Sequence, residues 1–501
     1  MTMMFDRPLD CLADGLGDAR DTRPVHVVRP ESLPDLVQEL VQGTGFAGSL
    51  AGWLEQTGFT ASAGEIALLP GGAGVGAALL GLGSGRQAPA PEVYAGLPRG
   101  LPPGDWHLAG PEPHDAEMAV LGFCLGAYRF GALRDPDARP AARLAMQHSE
   151  GAALAGAAQA RAIWLARDLV NMPANRLGPQ QLAEAACEVA ARFGARTALV
   201  SGADLECGYP AIHAVGRGSR RAPCVMRADW QGSAADARAP LVSLVGKGVC
   251  FDTGGLDLKT SAAMLRMKKD MGGAAIMLGL ARLIMQRDLP VRLQLRLGCV
   301  ENSVSGDAMR PSDVIATRAG LNVEIGNTDA EGRLVLSDLL AEACEAAPSV
   351  LIDAATLTGA ARVALGPDLP ALFSNDDDLA GALLQGGIAA HDPVWRLPLH
   401  PAYDSWLSSP VAHLNNVSSK PMAGAVTAAL FLQRFVKKSV RWAHLDTYAW
   451  RDSASPGQPE GGDAQGLRAC YKGLLRILNL HGEPDQLGNI IGTEPNRSPR
   501  L

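Results

Sequence analysis

The sequence predicts an α/β protein with a smaller N-terminal α/β domain and a larger C-terminal α/β domain, in which helices flank a central mixed sheet. Three observations lead to this prediction. The chain has 501 residues, more than a single hydrophobic core usually holds. From residue 180 onward, apolar strand patterns alternate with helical patterns, which is typical of a buried sheet covered by helices. The charged, proline-containing segment 134–140 interrupts the patterns and indicates a domain boundary.

The first 140 residues are assigned to the N-terminal domain. Residues 25–28 are predicted as a strand, 33–41 as an amphipathic helix, and 65–69 and 75–82 as two strands joined by a glycine-rich turn. The proline-rich stretch 87–103 is expected to be a surface loop, and 115–130 a helix. This order of elements indicates a small α/β unit.

A long alanine-rich helix over 141–170 is expected to link the two domains, because alanine has the highest helix propensity. It should end at Asn171, since Pro173 follows closely. The second domain is assigned to 171–485, and 486–501 is expected to be an irregular tail. Its predicted elements are strands 241–245, 293–300, 350–355 and 440–445, and helices 180–193, 271–286, 334–347 and 423–436.

Composition narrows the class of protein. The net charge of −7 gives no support for a dominant nucleic-acid-binding surface, so nucleic acid is not expected as a partner. The nine cysteines form no CxxC pair, which fits a reduced compartment. The start of the chain carries acids and no uninterrupted apolar run, and no stretch reaches the length of a membrane span. We therefore expect a cytoplasmic protein with no membrane partner.

The segment 327–334 carries two acids and an arginine at alternate positions, Asp329, Glu331 and Arg333. In an extended backbone, residues two apart point to the same side, so these three would share one face. A helix over 334–347 follows, with an apolar face that would anchor the segment. The segment is therefore expected to be extended and to form part of a site.

A second polar stretch, 246–259, follows a predicted strand and contains Lys247, Asp252 and Lys259 among several glycines. Ligands bind beyond the carboxyl ends of strands in open α/β sheets, which places this stretch where a site is expected. Asp270 opens the next predicted helix, where the helix dipole favours a carboxylate.

The two stretches and the start of the next helix supply four acids, Asp252, Asp270, Asp329 and Glu331. If the fold brings them close together, their carboxylates could not all stay ionised without compensating cations. Two divalent metal ions would supply that charge and could activate a water molecule for hydrolysis. The sequence contains no HExxH motif and its ten histidines are dispersed, so a histidine-held zinc site has no support. A ligand set made mainly of oxygen suits manganese or magnesium and is acceptable to zinc.

At this point the sequence resembles the leucyl (cytosol) aminopeptidase family of dimetal exopeptidases. The family's signature octapeptide NTDAEGRL stands intact at 327–334, and GKGVCFDTGGLDLK at 246–259 and KKDMGGAA at 268–275 resemble its metal-binding stretches. The stretches ENSVSGDAMRPSD at 301–313 and ATLTGA at 355–360 also match. The similarity covers 168–449, and the match to the first domain is weaker.

The resemblance implies roles for individual residues. Asp252 and Glu331 would bridge two metal ions, Lys247 and Asp270 would complete the tighter site, and Asp329 would complete the more exchangeable one. Lys259 would polarise the scissile carbonyl and stabilise the oxyanion. Arg333 would hold a bicarbonate that serves as general base.

The resemblance also implies a catalytic C-terminal domain that releases N-terminal amino acids, leucine-like ones preferred, from peptide substrates. Two divalent ions per subunit are implied, Mn²⁺ or Zn²⁺ with Mg²⁺ as a further option, and a homohexamer that encloses the active sites. The residues that match the family's substrate pocket are Met267, Thr356, Leu357 and Gly359. Tyr448 and Trp450 are bulkier than the residues often found at their positions, which could alter the side-chain preference.

Other interpretations stay open on the sequence alone. A DNA-binding protein, or a structural oligomer of the same family with little peptidase turnover, is the alternative function. Lys268 and Lys269 are expected to be solvated at a helix start, and His444 to be a core histidine. Asn415 and Asn416, with the residues 417–424 that follow, form a polar loop that could contact the site or a neighbouring subunit, and Cys250 is expected to face away from the site.

Overall fold

The computed structural model describes residues 5–13, 22–44, 50–72, 74–85, 88–110, 112, 115–133, 141–145 and 150–480. The predicted boundary segment 134–140 and the predicted tail 486–501 lie outside the described residues. The predicted fold class is confirmed, with a small N-terminal α/β unit followed by a larger α/β unit built on a mixed sheet.

The N-terminal unit is a five-stranded sheet in the order β2-β3-β1-β4-β5. Only the hairpin β2–β3 pairs antiparallel. Its strands are β1 (Arg23–Val28), β2 (Ile66–Gly71), β3 (Gly74–Gly81), β4 (Gly104–Ala109) and β5 (Ala142–Leu144). Its helices are α1 (Leu33–Thr44), α2 (Leu50–Thr57), α3 (Leu97–Gly100) and α4 (Ala116–Ala127).

The proline-rich stretch 87–103 is not the surface loop that its composition indicated. It contains a 3₁₀ turn (Pro91–Val93) and α3, and it buries Tyr94, Leu97 and Leu101 in the core. The two short helices each begin with a proline in the first turn, where the missing N–H has no helical partner to lose. Here proline starts helices and does not mark a loop.

The linking helix is shorter than predicted. Residues 142–144 form β5, which pairs with β4, and the helix α5 (Glu150–Asn171) begins several residues later. Alanine propensity is a weak preference that the pairing of a sheet edge overrides. The helix ends at Asn171, as Pro173 predicts.

The first residues of the chain contact both units. Leu144 donates its backbone N–H to Cys11, which joins the segment 5–13 to the edge of the N-terminal sheet. The side chain of Asp6 forms a buried ion pair with Arg282, 2.6 Å apart, on a helix of the larger unit. The segment therefore spans the boundary between the two units.

The larger unit is an eight-stranded sheet in the order β14-β13-β16-β12-β8-β9-β7-β6. Its four central strands, β16, β12, β8 and β9, run parallel. The strands are β6 (Arg196–Ser201), β7 (Cys224–Gln231), β8 (Leu241–Asp252), β9 (Arg292–Asn302), β12 (Val350–Ala355), β13 (Ala371–Ser374), β14 (Trp395–Arg396) and β16 (Trp442–Asp446). Two small sheets contain β10 (Val314–Ala316), β11 (Asn322–Glu324) and β15 (Leu414–Asn415), and β17 (Trp450–Arg451) and β18 (Gly461–Gly462).

Helices cover this sheet. They are α6 (Pro179–Ala191), α7 (Gly202–Gly208), α8 (Pro210–Gly216), α9 (Ser261–Met264), α10 (Gly272–Gln286), α11 (Gly332–Glu345), α12 (Gly359–Leu365), α13 (Asp377–Ala389), α14 (Gly424–Gln433) and α15 (Leu467–Ile477). Helix α10 is buried on every side from Gly272 to Met285, which its lack of a polar face predicts. Among the described residues, no helix combines the length and the apolar character that crossing a membrane requires.

Candidate functional site

Strand β8 carries two of the predicted site residues on its C-terminal half. Lys247 and Asp252 belong to the strand itself, whereas the sequence placed them in a loop after a strand ending at residue 245. The strand continues because it stays paired with β9 as far as Asp252 and Asn302. Both site residues are only 2 % exposed, so the glycines around them mark close packing and not a surface loop.

A tight turn after β8 returns Lys259 to the end of the strand. Gly254 has a φ of +87°, and a Cβ there would lie 2.5 Å from the carbonyl oxygen of Asp257. Only glycine tolerates that conformation and that contact. The backbone N–H of Lys259 donates to Thr253 at 2.9 Å, which closes the turn.

The extended conformation predicted for 327–333 is wrong. Asp329 lies in a turn, Glu331 is the N-cap of α11, and Arg333 is already in the first helical turn. The side chain of Asn327 accepts a 2.7 Å hydrogen bond from the N–H of Asp329, and this local bond competes with an extended backbone. The turn, and not two-residue alternation, therefore brings the two acids to the site.

Three of the predicted carboxylates converge at the end of β8. Asp252, Asp329 and Glu331 each offer an oxygen, and the three oxygens lie within 4.8 Å of one another. The Nζ of Lys259 lies 2.7 Å from Asp252 Oδ2 and also forms an ion pair with Asp329. The structure thus joins the octapeptide to the polar stretch that precedes it in the chain.

The fourth acid, Asp270, completes the cluster on the opposite side of Lys247. The Nζ of Lys247 lies 2.9 Å from Asp270 Oδ2 and 2.9 Å from Glu331 Oε1, and it donates to the carbonyl of Thr356. A Cβ added to Gly332 would lie 2.5 Å from Cε of this lysine. The glycine of the octapeptide therefore leaves the space that Lys247 occupies.

The site is charged and mostly buried, and this shifts its protonation. Burial raises the pKa of Glu331 to about 8, and the nearby Asp252 carboxylate adds to the effect. Burial and Asp252 likewise raise the pKa of Asp329 to about 6. Burial alone would lower the pKa of Lys247 and Lys259, but the surrounding carboxylates outweigh it and raise both. The two lysines therefore offset only part of the cost of ionising these acids, and further positive charge would be needed to keep all of them as anions.

The cluster fits divalent metal ions. The second oxygen of Glu331, Oε2, is buried and has no hydrogen-bond partner among the described residues. A buried carboxylate oxygen without a partner is costly, and a cation would satisfy it. The donor set consists of carboxylate oxygens and one amine, which suits manganese, magnesium or zinc.

Arg333 lies beside the carboxylates and lines the same cleft. It is 8 % exposed, and burial lowers the pKa of its guanidinium to about 10. Its Nη1 donates to the carbonyl of Asn416 at 2.6 Å, while its buried Nε has no partner in the part of the chain that the structure describes. The guanidinium therefore keeps an unused donor for an anion.

The cluster lies in a cleft of about 740 Å³. Its walls include every residue predicted for the site: Lys247, Asp252, Lys259, Met267, Asp270, Asp329, Glu331, Arg333, Thr356, Leu357 and Gly359. The wall after β12 is fixed by Asp446, which accepts the backbone N–H groups of Leu357 and Thr358 at 3.0 and 3.1 Å. Thr356 donates to Asp270 Oδ1 at 2.7 Å, which joins this wall to the carboxylates.

Lys269 is not the solvated residue that the sequence suggested. It is 5 % exposed, lines the cleft, and places its Nζ 4.6 Å from the ring centre of Tyr448. Burial lowers its pKa to about 8. Lys268 is half-buried and donates to the carbonyl of Asn171. Of the two bulky residues noted in the sequence, Tyr448 lines the cleft and Trp450 does not.

Two asparagines bond to the segments that carry the site: Asn302, which was not singled out from the sequence, and Asn416, whose loop was expected to be able to contact the site. Asn302, at the end of β9, donates its amide to Asp252 Oδ1 at 2.8 Å and to the carbonyl of Thr328 at 3.1 Å. Asn416, fully buried, bonds the backbone of the octapeptide segment. Both asparagines lie in polar stretches, which indicated that they could be near a site. The sequence does not show whether an asparagine is buried, so their hydrogen bonds to the site could not be predicted.

Two other residues lie as expected. His444 is buried, and its Nδ1 lies 2.6 Å from Asp353 Oδ1, as in a core histidine. Cys250 is 1 % exposed and does not line the cleft. Burial raises the pKa of its thiol, which makes it unreactive.

Comparison with known proteins identifies the family. The model of the cytosol aminopeptidase family catalytic domain matches residues 164–471, and that of the M17 aminopeptidase N-terminal domain matches residues 24–147. The chain belongs to the cytosol aminopeptidase family. It is therefore a metal-dependent aminopeptidase, and the sequence resemblance is confirmed, including over the N-terminal unit, where the motifs matched weakly.

Relatives and solved structures of the cytosol aminopeptidase family extend the match. Peptidase B of Pectobacterium carotovorum is 46 % identical over 318 residues, which cover 62 % of this chain and 72 % of that protein. The cytosol aminopeptidase of Coxiella burnetii has a TM-score of 0.85 and 44 % identity, covering 93 % of this chain and 99 % of that one. The bottromycin maturation enzyme BotP in complex with Mn has a TM-score of 0.81 and 33 % identity, covering 91 % and 100 %. These matches do not favour a DNA-binding or purely structural role.

Proposed function

We propose that this chain releases N-terminal amino acids from peptides by a two-metal mechanism. The observation that supports it most is the convergence of the Asp252, Asp329 and Glu331 oxygens within 4.8 Å. When bound, two divalent cations would supply a water molecule of lowered pKa as nucleophile. Mn²⁺ or Zn²⁺ is proposed, with Mg²⁺ as a further option, because oxygen dominates the ligand set.

The residues divide into two sets of ligands. Asp252 and Glu331 would hold both ions, as the family resemblance implies, and both belong to the group of three acids whose oxygens lie within 4.8 Å of one another. Lys247 and Asp270 would hold the tighter ion and Asp329 the exchangeable one. The amine of Lys247 must be neutral to act as a ligand. Its neighbours raise its pKa, and two nearby cations would reverse that effect.

Lys259 and Arg333 are proposed as the catalytic residues. Lys259 remains charged among carboxylates and reaches the end of β8, where it would polarise the scissile carbonyl and stabilise the oxyanion. Arg333 would bind bicarbonate through its unused Nε and hold it as the general base that moves a proton to the leaving amine. Each group is positioned by backbone or side-chain bonds from another element.

The overall reaction is tested by metal removal. Chelation of the purified protein should abolish hydrolysis of leucyl arylamide and of dipeptides, and adding Mn²⁺, Zn²⁺ or Mg²⁺ should restore it. Activity is followed by release of the arylamine and of free amino acid. Hydrolysis that persists in protein shown by elemental analysis to be metal-free would contradict the mechanism.

The side-chain preference depends on a cleft of mixed character. Met267, Thr356, Leu357 and Gly359 supply apolar and small walls that suit a leucine-like side chain. Lys269 adds a buried ammonium that forms no ion pair with a described carboxylate. We propose that leucine-like side chains are accepted and that Lys269 also favours a side chain ending in an oxygen acceptor, such as glutamate.

The Lys269→Met variant tests this point. Loss of a charge-assisted hydrogen bond of about 1.5–3 kcal/mol should lower kcat/KM for glutamyl relative to leucyl arylamide by about tenfold or more. The matched control is Lys268→Met, since Lys268 does not line the cleft. An unchanged ratio in Lys269→Met would show that Lys269 does not select the substrate.

The assembly and location are also proposals. We propose a cytoplasmic homohexamer, as the family resemblance implies, with the active sites facing an internal cavity that admits peptides and unfolded chain ends.

A further inference from the structure

Asn416 bonds the octapeptide segment on both of its edges. Its Oδ1 accepts the backbone N–H groups of Gly326 and Asn327 at 2.8 and 3.2 Å. Its Nδ2 donates to the carbonyls of Asn327 and Ala330 at 2.8 and 3.3 Å. The side chain is completely buried, and both donor protons and the acceptor oxygen are used. The bonded residues therefore lie on both sides of Asp329 in the sequence.

The backbone of the same residue holds the arginine. Nη1 of Arg333 donates to the carbonyl of Asn416 at 2.6 Å, and the N–H of Asn416 donates to the carbonyl of Glu324 at 2.9 Å. Strand β15 ends at Asn415 and pairs with β11, and this pairing positions Asn416 next to the octapeptide segment 327–334. One residue thus fixes both the turn that carries Asp329 and the guanidinium that follows it.

We propose that Asn416 is a positioning residue that sets Asp329 as a ligand of the exchangeable metal ion and Arg333 as the holder of the bicarbonate. This inference rests on the proposed two-metal function. Residues that orient metal ligands typically change metal affinity 10- to 100-fold when they are replaced. Asn416 bonds the backbone on both sides of Asp329 and makes no bond to Lys247 or Asp270, so its effect should fall mainly on the exchangeable ion.

The contrast with Asn302 sharpens the assignment. Asn302 bonds the carboxylate of Asp252, which would bridge both ions, so its replacement should weaken the binding of both.

Asn375 serves as a matched structural control. Its side chain also bonds backbone groups, of Val440 and Trp442, and it does not line the cleft. A general loss of packing would affect the Asn375 variant as well.

The test is calorimetric titration of the metal-free protein with Mn²⁺. Asn416→Asp keeps the acceptor oxygen and the size of the side chain but loses both amide donations, and Asn416→Leu removes all four bonds. We expect the weaker of two binding events to lose about tenfold or more in affinity while the tighter event changes less than about threefold. The bicarbonate concentration that gives half-maximal activity should rise in parallel.

Asn416→Asp is included because Asn416→Leu could fail to fold. Equal weakening of both binding events, or a lowered unfolding temperature with both affinities unchanged, would overturn the assignment. Wild-type affinities in both Asn416 variants would overturn it too. Wild-type protein that binds no Mn²⁺ would instead reject the proposed function itself, so the two failures are distinguishable.

Discussion

Replacing Glu331 with alanine should abolish aminopeptidase activity and leave the fold nearly as stable as before. The carboxylate contributes an oxygen to the cluster, and its Oε2 has no hydrogen-bond partner among the described residues, so Glu331 would hold both ions as the family resemblance implies. Removing the Glu331 carboxylate would therefore take a ligand away from both metal ions. The fold tolerates the change because the carboxylate is buried beside Asp252, and burial raises its pKa to about 8. A buried carboxyl whose ionised form is disfavoured contributes little to the stability of the fold, so its removal should cost little.

Activity of Glu331→Ala is measured on leucyl arylamide, with circular dichroism and the thermal midpoint as measures of folding. Lys247 keeps its 2.9 Å contact with Asp270 in the variant, so it is not left as an unpaired buried charge. The matched control is Glu345→Ala at the other end of α11, where the side chain is 55 % exposed and pairs with Arg318. Wild-type turnover by the Glu331→Ala variant would contradict the assignment of the site.

Replacing Lys259 with alanine should lower kcat by about 100- to 1000-fold with a much smaller change in KM. The ammonium would act on the negative charge that develops in the transition state, and removal of one such donor costs about 2.7–4 kcal/mol. Its position at the cluster depends on Asp252, whose Oδ2 lies 2.7 Å from Nζ. Because ground-state binding relies on other walls of the cleft, KM should hardly respond.

Steady-state kinetics on one arylamide substrate, with saturating metal, separate kcat from KM. Lys438→Ala is the control, since Lys438 is an exposed lysine outside the cleft. A variant that turns over at the wild-type rate and shows only a raised KM would mean that Lys259 binds substrate uniformly and does not stabilise the transition state.

The residues of the site could be proposed from sequence, but its local geometry could not. The octapeptide indicated which acids to examine, but an extended segment was predicted where a turn and a helix N-terminus occur. Polar residues at alternate positions look the same in the sequence whether the backbone is extended or forms a turn. Besides the local bond of Asn327, the turn is held by Asn416, 89 residues beyond Asn327 in the chain, and no local pattern reports that contact.

Elements were predicted best where hydrophobic periodicity is decisive. Strand β12 was predicted to the residue, and α11 and α14 to within a few residues. Prediction failed where pairing partners decide the outcome. Residues 142–144 were assigned to a helix on alanine content, but β4 offers an open edge that they complete. The buried position of Lys269 also depends on packing, since Lys268 beside it has the same charge and is half-buried.

The first residues of the chain have a consequence for how the two units can move. Asp6 is paired with Arg282 inside the catalytic unit, and Arg7 contacts Asp168 on α5 at 3.1 Å. Two units joined by one crossing can hinge about it, but here segment 5–13 contacts both units and forms a second connection beside α5. A hinge motion that separated the two units would have to break these pairs, so they oppose such a motion of the N-terminal unit.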